Sequence, residues 1–182
     1  MDYTFQQLTQ SDELSQLPAL FAATFTDSEG EAEGEMLRAL SSDLLSTTGA
    51  EELRIFVAKH ADQLVGCVLF SALNFEPAST RAMLLSPMAI STAHQGKGAG
   101  QGLIRFGLAQ LRSESVELVL TYGDPQFYSR VGFAQITEEQ AAAPQPLSYP
   151  HGWLGLTLNG GAFPHVEGPS RCVAALDKPD FW

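Results

Sequence analysis

Met83-Leu84-Leu85-Ser86-Pro87-Met88-Ala89-Ile90 reads as a strand, and Ser91-Thr92-Ala93-His94 then Gln95-Gly96-Lys97-Gly98-Ala99-Gly100 follow it as a turn. From Gly98 to Arg112 the pattern is helical, because Leu103, Ile104, Gly107, Leu108 and Leu111 fall on one face. A strand, a glycine-rich turn and a helix in direct succession form an anion site. The first amide hydrogens of a helix have no intrahelical partner, and its start carries a partial positive charge. Glycines let those amides close around a phosphate without Cβ obstruction. Lys97 supplies one local cation. Two common nucleotide loops fail on spacing. A dinucleotide fingerprint needs glycine where Gln101 stands, and a P-loop needs Ser or Thr where Gly98 follows Lys97. The plain alternative is a glycine turn that only packs a helix on a sheet.

Working outward, residues 3–8 alternate like a half-buried strand. Ser11-Asp12-Glu13 reads as a helix start, with Leu14, Leu17, Leu20 and Phe21 behind it. A second helix is expected over about 31–45, with Met36, Leu37, Leu40, Leu44 and Leu45 on one side. Strand-like runs follow at 53–59, 63–73 and 81–90, the first two joined by the short turn at Ala61-Asp62-Gln63. Beyond the central helix come a strand at 116–121, a brief helix from Pro125 stopped by Gly132, extended chain at 133–136 and a strand at 154–158. Meandering strands followed by a strand–helix–strand unit imply a mixed α/β (α+β) sheet with helices on both faces. The tail from Pro164 onward has no clear place in this order.

The 182 residues suit one domain with its own core. A net charge of -11 disfavours nucleic acid and anionic membrane as partners, and favours cationic small molecules. Cys67, in an apolar run, reads as a small buried hydrophobe, and with Cys172 it forms no CxxC pair. His60, His94, His151 and His165 lie at no metal-ligand spacing. With no basic apolar leader and no bilayer-length apolar stretch, a reduced cytoplasmic setting is the expectation.

A second motif lies downstream: Gly123-Asp124-Pro125-Gln126-Phe127-Tyr128-Ser129-Arg130-Val131-Gly132-Phe133. Asp124-Pro125 reads as an N-cap with proline at the first helical position. On the residues alone, Tyr128 reads as a core aromatic with its hydroxyl on a backbone carbonyl. Together with Gln95-Gly96-Lys97-Gly98-Ala99-Gly100, however, this stretch resembles the GNAT superfamily of acyl-CoA-dependent N-acyltransferases, and its YhbS-like branch in particular.

The resemblance implies a single domain over 1–182, built on a mixed, mostly antiparallel central sheet flanked by helices. It implies acetyl-CoA as co-substrate and no metal. Backbone groups of Met88, Ala89 and Ile90 would pair with the pantetheine arm as with an added strand. Gln95, Gly96, Lys97, Gly98, Ala99 and Gly100 would hold the diphosphate; Gln rather than Arg at 95 removes one ionic contact. Tyr128 takes the family's general-acid position. A thiol titrates near about 8.5 and a phenol near about 10, so a tyrosine can protonate departing thiolate without ionising at rest. The amide of Met88 would polarise the thioester carbonyl.

The general base has no visible candidate. Residues 81–90 contain no acid, and Ser86 is their only hydroxyl. Asn74 and Glu76 would serve as water anchors or as plain surface residues. Asp27, Glu29, Glu31, Glu33 and Glu35 form either an acidic lip for an amine or a solvated helix start. His151 and Trp153 are candidates for the acceptor pocket, the tryptophan equally for the core. The expected partner is an amine, on a small molecule or a protein, and a homodimer is common in the family. Two readings stand: transfer of acetyl to a primary amine in a ternary complex, or a sensor that binds acyl-CoA without turnover.

Overall fold

The computed structural model describes residues 1–9 and 12–182. The helix start read at Ser11 lies outside the described residues; helical chain is in place as a 3₁₀ turn over Asp12–Gln16. Eight strands pair in the order β1-β2-β3-β4-β5-β7-β6, with β8 on β3. The registered pairs are antiparallel except for β4 with β5, so the sheet is mixed and mostly antiparallel, as expected. The chain gathers into two compact units, residues 1–70 with 87–107 and residues 71–86 with 108–182.

In the first unit, β1 (Thr4–Leu8) pairs β2 (Leu53–His60) from Thr4↔Lys59 to Leu8↔Ile55. Ala61 and Asp62 adopt positive φ of 48° and 64° and turn the chain into β3 (Gln63–Phe75). Two consecutive left-handed residues match the twist of a two-residue hairpin. Helices α1 (Leu17–Glu29) and α2 (Glu31–Thr47) pack on each other, burying Leu17 and Phe21 of one and Leu37, Leu40 and Leu44 of the other. Helix α3 (Ala99–Ser113) follows β4 (Ala82–Ile90). Its first turns lie over aromatic rings: Phe106 meets Phe5 at 6.0 Å and Phe56 at 5.9 Å, and Phe56 meets Phe70 edge-on at 5.7 Å.

In the second unit, β4 runs parallel to β5 (Leu118–Tyr122), from Ala82↔Leu118 to Leu85↔Thr121. Beyond Leu85, β4 continues through residues 86–90. Strand β7 (Trp153–Thr157) pairs β5 on one side and the two-residue β6 (Ala134–Gln135) on the other. Between β5 and β6 sit α4 (Pro125–Tyr128) and a 3₁₀ turn over Ser129–Val131.

The tail that the sequence left unplaced is ordered structure. It adds β8 (Ser170–Arg171) against Asn74 and Phe75, and two 3₁₀ turns. Trp182 is buried edge-on to Trp153, with its indole N–H on the Leu176 carbonyl at 2.9 Å. Trp153 is wholly buried and donates to the Ala141 carbonyl at 2.9 Å, so it belongs to the core and not to an acceptor pocket. Cys67 is buried as expected, and burial pushes its thiol up. Among the described residues, no helix is long and apolar enough to cross a membrane.

Candidate functional site

The residues singled out in the sequence fall into two sets, one in each unit. In the first, the Ser91 amide donates to the Val65 carbonyl at 2.8 Å, which fixes the end of β4 on β3. A 3₁₀ turn over Thr92–His94 follows, and residues 95–98 form the turn into α3. Gly96 and Gly98 sit at φ of 70° and 86°, left-handed geometry that costs a residue with Cβ roughly 1–2 kcal/mol. Nothing lies within 4 Å of where a Cβ would stand on either, so backbone angle and not crowding calls for glycine there. Residues 95–98 are exposed, and Ala99 is buried beneath them.

Side chains brace this loop from behind. The Gln95 amide nitrogen donates to the Ile90 carbonyl at 2.9 Å, so Gln95 holds the turn to its strand. Lys97 folds back onto the Ala93 carbonyl at 2.7 Å. Thr92 donates to Asp27 at 2.6 Å, which turns one acid of the supposed lip into a brace for the loop. Glu35 pairs with Arg38 at 3.2 Å on the surface of α2. Glu33 is pushed up by burial and by Glu29. His94 lies 3.2 Å from the Tyr3 hydroxyl, with its ring 5.3 Å from that of His60. Burial, His60 and Lys97 all lower its protonation.

The second unit positions Tyr128. Asp124 caps α4, its carboxylate accepting from the Gln126 amide at 2.9 Å, and Pro125 occupies the first turn, as the sequence indicated. The Tyr128 amide donates to the Asp124 carbonyl at 3.1 Å and the Phe133 amide to the Tyr128 carbonyl at 3.2 Å, so the residue is held at both backbone ends. Gly132 ends the turn at φ 99°. The half-buried Tyr128 ring meets Phe127 edge-on at 5.0 Å and Phe133 at 5.6 Å.

Burial pushes the Tyr128 phenol up to about 12; the Thr121 hydroxyl, hydrogen-bonded to it, works downward and the Asp124 carboxylate upward. Thr121 is itself buried and donates to the Leu85 carbonyl at 2.9 Å. Its single proton is therefore engaged by the strand carbonyl.

Sequence reasoning missed Thr121 and the role of Gly123. A Cβ on Gly123 would stand 2.8 Å from the Tyr128 ring, so this glycine makes room for the tyrosine. The quoted motif contained Gly123, but nothing in one sequence tells a glycine needed for space from one needed for angle. Glu76 and Asn74 are not gathered with Tyr128: Glu76 pairs with Arg171 at 3.1 Å, and Asn74 is registered with Arg171. His151 lies 3.1 Å from the Gln135 amide nitrogen, on the surface. Beside Tyr128, a cavity of about 370 Å³ is lined by Tyr122, Gly123, Asp124, Pro125 and Tyr149. Among the described residues, no group of three or more His, Cys, Asp or Glu side chains is placed to hold a metal.

Comparison with known proteins bears on both sets. The family model for the acetyltransferase (GNAT) domain matches residues 51–135, from β2 through β6. The uncharacterized N-acetyltransferase YjhQ of Escherichia coli (strain K12) is 30% identical over 139 residues, 74% of this chain and 76% of that one. The uncharacterized N-acetyltransferase YhbS of the same strain is 28% identical over 116 residues, 64% of this chain and 66% of YhbS. The crystal structure of Escherichia coli YhbS in complex with CoA matches with a TM-score of 0.77 at 21% identity, covering 97% of this chain and 92% of YhbS. A GNAT family acetyltransferase from Brucella melitensis, solved with acetyl-CoA, matches with a TM-score of 0.68 at 25% identity, covering 96% and 99%. The strand–turn–helix and the capped tyrosine turn both fall within the matched family segment, and this chain belongs to the GNAT acetyltransferase family.

Proposed function

We propose that the protein transfers an acetyl group from acetyl-CoA to a primary amine by direct attack in a ternary complex. The observation that carries this reading is Tyr128, a half-buried phenol on a turn held at both backbone ends and packed edge-on against Phe127 and Phe133. The solved relative from Brucella melitensis binds acetyl-CoA, which supports the same donor here.

In this reading the backbone of Met88, Ala89 and Ile90 receives the pantetheine arm, and residues 95–100 hold the diphosphate on amides of the turn and the helix start. A neutral amine attacks the thioester carbonyl carbon, with the amide of Met88 stabilising the oxyanion. The tetrahedral intermediate collapses, the carbon–sulfur bond breaks, and the thiolate takes the Tyr128 proton. The proton from the amine leaves to solvent, since residues 81–90 offer no carboxylate to receive it. Tyr128 recovers its proton from water before the next turnover.

The test is thiol release from acetyl-CoA across a panel of primary amines, with wild type beside Tyr128→Phe. Turnover in wild type, with kcat down roughly 10²–10⁴-fold in the variant and acetyl-CoA affinity retained, supports the reading. The missing carboxylate on residues 81–90 favours one competitor, a sensor that binds acyl-CoA without chemistry. Tight acetyl-CoA binding with no turnover of any amine would establish the sensor and end the enzyme reading.

A further inference from the structure

The cavity beside Tyr128 has walls of unusual chemistry for a solvent-facing cleft. Tyr122 and Tyr149 line it together with Gly123, Asp124 and Pro125. The Tyr122 phenol is tied up, accepting from the Tyr149 amide at 2.5 Å and lying 3.1 Å from the Ser148 hydroxyl. One face of its ring is stacked on Trp182 at 5.9 Å with a 15° tilt. What Tyr122 offers a ligand is therefore a rigid aromatic surface. Gly152 lets the two tyrosines approach: a Cβ there would stand 3.0 Å from the Tyr149 ring and 3.2 Å from the Tyr122 ring. Tyr149 is 54% exposed, although its ring lies 5.7 Å from that of His151. Asp124 adds a carboxylate, of which one oxygen serves the α4 cap.

Two phenol rings and one carboxylate around a cleft suit a cation, by ring quadrupole and by charge. The net charge of -11 draws cations to the surface as a whole. An ammonium held in this way cannot be the nucleophile, because attack needs a free nitrogen lone pair. The cation in the cavity and the attacking amine are then different nitrogens of one molecule.

Resting on the acetyl-transfer reading above, we infer that the Tyr122–Tyr149–Asp124 cavity binds the protonated end of an alkyl diamine, leaving the other amine, deprotonated, as the acetyl acceptor. Gly123 and Asp124 are shared between the cavity wall and the surroundings of Tyr128, which puts the bound cation close to the reacting group.

The experiment compares 1,4-diaminobutane with 4-amino-1-butanol, which keeps the attacking amine and replaces the second cation with a hydroxyl. Wild type should favour the diamine about tenfold in kcat/KM. Asp124→Asn keeps the helix cap and loses the charge; Tyr149→Leu keeps bulk and loses the ring face. Each should bring the preference to within about twofold while the KM for acetyl-CoA stays put. Calorimetric titration of 1,4-diaminobutane into CoA-saturated protein should show Kd rising about fivefold to tenfold in either variant. Equal kcat/KM for the two substrates in wild type, or an unchanged preference in both variants, overturns the inference. So does a shift confined to the KM for acetyl-CoA, which would make the cavity part of the donor site. Absence of turnover with diamine binding intact and variant-sensitive would sink the acetyl-transfer reading and leave the cavity as a cation site.

Discussion

The two strand-to-helix turns of this protein both depend on glycine, and for opposite reasons. At residues 95–98 the glycines stand in open space with positive φ, so the backbone angle alone calls for them. At Gly123 the backbone angle is ordinary but the space is taken, by the ring of Tyr128. In the proposed reading the first turn offers amides to the donor, and the second makes room for a side chain. A substitution at one should therefore touch the donor, and at the other the chemistry.

The sharpest break would come from Gly123→Ala. A methyl 2.8 Å from the Tyr128 ring forces the ring aside, so kcat should fall about 10–100-fold while acetyl-CoA affinity holds. Overpacking should also cost about 1–3 kcal/mol of stability, read from denaturant midpoints. Loss of acetyl-CoA affinity with kcat intact would dissolve the contrast.

Next in size, Gly98→Ala should weaken acetyl-CoA binding about tenfold by calorimetry, because a strained φ of 86° relaxes and withdraws an amide from the phosphate path. Its kcat at saturating acetyl-CoA should stay within about twofold of wild type.

The pH profile tests the second turn alone. In the proposed role Tyr128 acts as the neutral acid, and burial, which pushes its phenol up to about 12, would keep its proton in place to high pH. Hence kcat should hold on the alkaline side past pH 10, where an ordinary phenol would be half ionised. A decline centred near pH 10 would mean a phenol not shifted by its surroundings. The smallest effect belongs to Lys97→Met. Lys97 is exposed and folded onto the Ala93 carbonyl, so acetyl-CoA affinity should fall by no more than about threefold, and less in high salt.

Much of this was legible in the sequence where a local rule suffices. The hairpin at Ala61-Asp62, the amphipathic α3 and the Asp124-Pro125 cap are all set within a few residues, and each stands where read. What escaped was set by distant partners. Trp153 looked like a pocket residue because nothing nearby in sequence reveals Ala141 and Trp182 around it. Asp27 looked like one of five equivalent acids, and only the fold brings Thr92 to it. The tail lacks a hydrophobic period because it is held by single anchors, such as the Glu76 amide on the Pro169 carbonyl, and by terminal ring packing. Tyr128 was nameable only through its motif, since its burial and the Thr121 contact belong to tertiary structure.

Thr121 has one proton and two calls on it. In the resting protein that proton rests on the Leu85 carbonyl. If Tyr128 gives its own proton away as proposed, rotation about a single bond would turn the hydroxyl to the new phenolate. The strand carbonyl would then give up a partner for the length of one catalytic event and regain it when the phenol is recharged. Thr121 is in that sense a rotor with two detents, and a valine there would leave a site of nearly the same shape with nothing to turn.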